Sequence, residues 1–182
     1  MSKLCAVLLL SIGMLVSGQA AQADSSFTFT ALPSSGAIGG APGSTVGWGY
    51  SIMNDSSTQW LVLSDLNTTE SFLNGAPDNN IFDYPIIAPD QTVTQPFNAL
   101  AGTGLYEFTW NSDAPIGFTN SGEFDLTGFF CADSSLDGCS ATNVDEYAPY
   151  SVTATPEPMP LLLLCTGLTL CWLMRKKLTH SG

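Results

Sequence analysis

Between residues 24 and 155 the chain has no lysine, no arginine and no histidine. Its four basic residues are Lys3, Arg175, Lys176 and Lys177, and its single histidine is His180, so every one lies near an end of the 182-residue sequence. The same stretch holds 15 of the 16 carboxylates, Glu157 being the other, and the whole chain carries a formal charge of −12. A body without cations has nothing with which to grip phosphates, which excludes nucleic acids and nucleotides as partners. Without histidine or lysine it also lacks the usual general base and the usual Schiff-base amine, which removes most hydrolase and transferase mechanisms. Sustained helical periodicity is missing as well, and there is no internal repeat.

The two ends read as addresses. A positive start at Lys3, an apolar run over 4–16 and a small-residue Ala-x-Ala site ending at Ala23 make a secretory signal peptide over 1–23, with cleavage between Ala23 and Asp24. An uncleaved anchor is the alternative, but the apolar run is short for a span. Cys5 lies too early for a lipoprotein signal. At the other end, residues 159–174 form a second apolar run. Sixteen residues rising ~1.5 Å each give roughly 24 Å, somewhat under a ~30 Å hydrocarbon core. Snorkelling of Arg175, Lys176 and Lys177 offsets part of the shortfall, and those cations belong on the cytoplasmic side. A buried core helix would not end in the only cation cluster of the protein.

Pro156-Glu157-Pro158, the Leu-rich run and the basic Arg175-Lys176-Lys177 stop, in that order, resemble the PEP-CTERM sorting signal of bacterial surface proteins. The resemblance covers residues 154–178 and does not reach the body. It implies transient processing by an exosortase, an integral-membrane thiol enzyme, and a destination at the cell surface or in extracellular polysaccharide. It also implies a structural or adhesive role. The two prolines favour extended backbone just outside the membrane, which leaves a strand for a protease to bind.

The body, 24–154, alternates apolar and polar residues in short runs: 26–31, 46–52, 60–66, 92–97, 105–110, 123–130 and 150–154. Between them lie Gly/Pro-rich breaks at 33–42, 74–78, 85–89 and 113–115. Seven to nine short strands predict an all-β fold, an antiparallel β-sandwich of immunoglobulin-like type, with a jelly roll as the alternative. Edge strands are usually guarded by lysine; here the available guards are carboxylates, with Glu107, Glu123 and Asp125 on strand-like runs, together with prolines and bulge-prone glycines.

Cys131 and Cys139 are the only cysteines of the exported part, and export favours one disulfide across the turn-rich segment between them, ahead of a metal site or a free thiol. No cofactor is implied. The weak exception is calcium, which takes clustered loop oxygens: Asp78 and Asp83 form one candidate group, and Asp133 and Asp137, with Asp145 and Glu146, another. Trp48, Trp60 and Trp110 are candidate sugar platforms, although core burial is the commoner use of such residues. A carbohydrate-binding module is therefore the competing function. A carboxylate-only glycosidase built on Glu123 and Asp125, two apart on one strand face, is a remote third. Asn54 and Asn67 each begin an Asn-x-Ser/Thr acceptor pattern.

Overall fold

The computed structural model describes residues 26–157; the expected signal peptide and its expected cleavage site, Pro158, the apolar run 159–174 and the basic residues 175–177 lie outside them. The described residues are all-β. In chain order the strands are β1 (Phe27–Leu32), β2 (Ala37–Gly40), β3 (Thr45–Asn54), β4 (Trp60–Thr68), β5 (Gly75–Asp78), β6 (Ile86–Ile87), β7 (Thr92–Gln95), β8 (Tyr106–Trp110), β9 (Thr119–Cys131) and β10 (Val144–Ala154). They form two packed five-stranded sheets.

The first sheet runs β1-β3-β8-β5. β3 pairs β1 along one edge; on its other edge β8 covers Thr45–Trp48 and β7 covers Tyr50–Met53. The second sheet runs β2-β10-β9-β4-β6. Every pairing is antiparallel except one: β2 lies parallel to β10, opposite Ser151–Ala154, which corrects the expectation of a purely antiparallel fold. The exception arises because β1 and β2 are one extended run broken at Pro33–Gly36, whose first half pairs β3 and whose second half joins the other sheet. Gly36 makes this crossing possible. Its φ is +66°, and a Cβ there would clash with the Pro149 carbonyl oxygen. Its own carbonyl accepts the Trp48 indole N–H at 2.7 Å.

Period-two alternation places the core. Phe27, Phe29 and Ala31, Trp48, Tyr50 and Ile52, and Tyr106, Phe108 and Trp110 point inward from the first sheet. Leu61, Leu63 and Leu66, Phe124, Leu126 and Phe130, and Ala148, Tyr150, Val152 and Ala154 meet them from the second. In β4 the inward step from Leu63 to Leu66 skips a residue, because a bulge between Leu63 and Asp65 resets the alternation. Phe72, from the β4–β5 connection, stacks on Phe108 at 5.0 Å and on Tyr150 at 4.9 Å, so an isolated loop aromatic seals one end of the core.

The carboxylates singled out as edge guards are not on edges. Glu123 and Asp125 lie on β9 and Glu107 on β8, each flanked by strands on both sides. The edges are blunted instead by the proline and glycine also expected there, Pro77 in β5 and the glycine-rich β2, and by the two-residue length of β6.

Candidate functional site

The outward face of the second sheet gathers the most chemistry. Outward positions on β9 include Glu123, Asp125 and Thr127. Asp125 pairs laterally with Asn67 of β4 and Tyr147 of β10, while Thr127 pairs with Asp65 and Asp145. Asp65 and Asp145 therefore sit diagonally to either side of Asp125, within electrostatic reach. Both have donors: Asn67 Nδ2 donates to Asp65 at 2.8 Å, and Thr127 Oγ1 donates to Asp145 at 2.8 Å. Asp125 has one oxygen buried without a hydrogen-bond partner. Its carboxyl is pushed above the usual aspartate range by desolvation, then by the charges of Asp145 and Asp65. Tyr147, half exposed beside it, has its phenol pushed up mainly by the Asp125 charge. Glu123 and Asp125 do share one face, as their spacing predicts.

The calcium candidates do not gather at one place. Asp78 closes a local turn by accepting the Asn80 N–H at 2.8 Å. Asp83 accepts the Tyr50 hydroxyl at 2.6 Å, and burial together with this bond raises the Tyr50 phenol well above its ordinary value. Asp133 and Asp137 do meet, but through Ser135: its hydroxyl reaches Asp133 at 2.6 Å and Asp137 at 3.1 Å. The hydroxyl bond to Asp133, with the Ser135 N–H, holds the Asp133 carboxyl below its usual range. Asp145 and Glu146 belong to β10 rather than to that loop. Among the described residues no three acidic, histidine or cysteine side chains converge as a metal site.

Cys131 and Cys139 form the expected disulfide, which ties the end of β9 to the connection leading into β10. Trp48 and Trp110 are buried in the core, and only Trp60 of the three candidate sugar platforms is partly open. Asn54 is fully buried, so its acceptor pattern is not open to modification in the folded chain. Its amide donates to the carbonyls of Gln59, Ile87 and Ala88 at 2.8, 3.0 and 3.1 Å, and its oxygen accepts the Ser56 N–H at 3.0 Å. Asn67 is exposed on β4.

At the end of β10, Thr155 N–H bonds to the Gly40 carbonyl at 2.9 Å, and Thr155, Pro156 and Glu157 are exposed. The first two residues of the Pro-Glu-Pro motif thus leave the folded body directly into solvent. Among the described residues no helix is long and apolar enough to cross a membrane. Compared with known proteins, the chain matches no family model, no curated protein and no solved structure.

Proposed function

We propose that the chain is an exported bacterial protein of the cell surface or extracellular matrix, with a structural or adhesive role and no catalytic one. In this reading the signal peptide is removed before Asp24. The apolar run 159–174 holds the chain in the membrane with Arg175–Lys177 inside, and an exosortase then processes the tail at Pro156-Glu157-Pro158. The body is an immunoglobulin-like β-sandwich. Its orders β1-β3-β8-β5 and β4-β9-β10 correspond to the two sheets of that architecture and favour it over a jelly roll.

The observation that carries the reading is the ordered motif, apolar run and basic stop beginning as soon as the last strand ends. A disulfide suits an oxidising destination. A body whose charges are all negative stays soluble, repels its copies, and meets acidic polysaccharide through bridging divalent cations. The test replaces Pro156, Glu157 and Pro158 with alanine in the native host. The tail should then persist and the protein should accumulate in the membrane; unchanged processing would remove the sorting role. A chelator should also release the mature protein from the matrix, and undiminished retention would remove the bridging role.

Carbohydrate binding is the second reading, favoured by half-exposed Tyr147 beside Asn67 and Asp125 on one sheet face. A glycan panel separates the two, because a structural protein shows no selective ligand, and Tyr147→Ala should abolish any selective binding.

A further inference from the structure

We infer that the end of the body from which β10 exits is a lipid-contacting surface, with Ile116 and Leu73 entering the headgroup region beside the anchored tail. The inference rests on the membrane reading of 159–174. From Ala154 to Met159 there are five peptide steps, which span at most about 18 Å. β10 itself is 11 residues long, so the opposite end of the body lies about 34 Å further away. Only the near end is held within reach of the bilayer.

That near end is formed by the connections 41–44, 69–74 and 111–118. It differs from the far end in charge rather than in exposed apolar side chains, since Met53, Ile86 and Leu136 are exposed at the far end. The carboxylates of those connections are Glu70 and Asp113, with Glu157 at the chain exit, whereas the far connections carry Asp55, Asp90, Asp133 and Asp137. It also presents two large apolar side chains to solvent, Ile116 at 56% and Leu73 at 59% exposure.

Neither exposure comes from a loosely held loop. Gly117 N–H bonds to the Ala154 carbonyl at 2.7 Å and Ala154 N–H to the Phe118 carbonyl at 2.8 Å, so the Ile116 turn is tied to the last residue of β10. Leu73 is clamped by the buried Asn120 side chain, which accepts its N–H at 2.8 Å and donates to its carbonyl at 3.0 Å. Two fixed apolar side chains beside a chain exit that leads into lipid fit an interfacial contact, which lowers the freedom of the body and holds Pro156-Glu157 at the membrane plane. With three carboxylates, Glu157 included, and no cation among its described residues, this end suits a zwitterionic lipid surface better than an anionic one.

The test uses the full chain in phosphatidylcholine vesicles with ordinary or brominated acyl chains, which quench nearby tryptophan. Ile116→Trp and Leu73→Trp are each compared with the parent, so the native tryptophans subtract out. Leu100→Trp is the control, at a fully exposed apolar position on the β7–β8 connection. The added emission of Ile116→Trp and Leu73→Trp should be roughly halved or better by brominated lipid, less so when phosphatidylglycerol is included, and that of Leu100→Trp should be unchanged. Vesicle flotation distinguishes the failures. A chain that floats while both added tryptophans stay bright overturns this inference and leaves the anchor intact. A chain that does not float overturns both. Equal quenching at Leu100 shows indiscriminate adsorption and also overturns the inference.

Discussion

Replacing Asn54 with alanine tests how the two sheets are joined at the end far from the tail. The side chain is fully buried and reaches the β3–β4 turn through Gln59 and Ser56, and the β6 region through Ile87 and Ala88. An amide has two donor hydrogens, so its three carbonyl contacts amount to two full bonds, one of them shared. With the bond accepted from Ser56, alanine removes about three buried hydrogen bonds and strands their partners. At roughly 1 kcal/mol each the loss is about 3 kcal/mol, or about 10 °C in Tm for a domain of this size. Asn54→Asp keeps the shape but turns an oxygen toward three carbonyls. It should cost more than alanine at neutral pH and recover partly on acidification, when the acid regains one donor. Urea unfolding followed by the emission of buried Trp48 and Trp110 measures both. A loss below about 1 kcal/mol for Asn54→Ala, or a pH-independent Asn54→Asp, would refute the reasoning.

Three further outcomes follow from particular contacts. Asp125 has a folded-state pKa above its unfolded value, so its charge works against folding at neutral pH, and this penalty fades as pH falls through the raised pKa. Asp125→Asn should therefore unfold at higher urea than the parent at pH 7, with the gain shrinking toward pH 4; an equal gain at both pH values would contradict the assignment. Gly36→Ala should cost at least about 2 kcal/mol, because the added methyl meets the backbone of Pro149 and the φ is left-handed; a neutral result in thermal unfolding would show that the crossing between sheets is pliable. Reducing Cys131–Cys139 should lower stability by about 2–3 kcal/mol on loop entropy alone, read as the urea midpoint with and without reductant.

The strands with strong alternation were legible in the sequence because burial of one face forces it: β1, β3, β8 and the second halves of β9 and β10 are read directly from their apolar positions. β2, β5 and β6 were not, since they are built from glycine, alanine, proline and two isoleucines inside runs that signal turns. Their pairing is supplied by neighbouring strands rather than by their own propensity. The first half of β10 hid for the opposite reason: Asp145-Glu146-Tyr147 has the composition of an acidic loop, yet it pairs with β9 along its length. The acidic sheet face was half legible. The shared face of Glu123 and Asp125 follows from spacing, but Asp65 and Asp145 reach it through strand register, which no local pattern encodes. Asn54 matches a modification motif, and only its burial reveals a structural hub.

The central claim, export followed by processing at the Pro-Glu-Pro motif, is tested most directly by the intact mass of the protein from each fraction of its native host. The account predicts a species that begins at Asp24, ends near Pro156, retains the Cys131–Cys139 disulfide and lies outside the membrane. A species that keeps residues 159–182 and occurs only in the membrane would contradict the processing step. One that still begins at Met1 in the cytoplasm would contradict export itself.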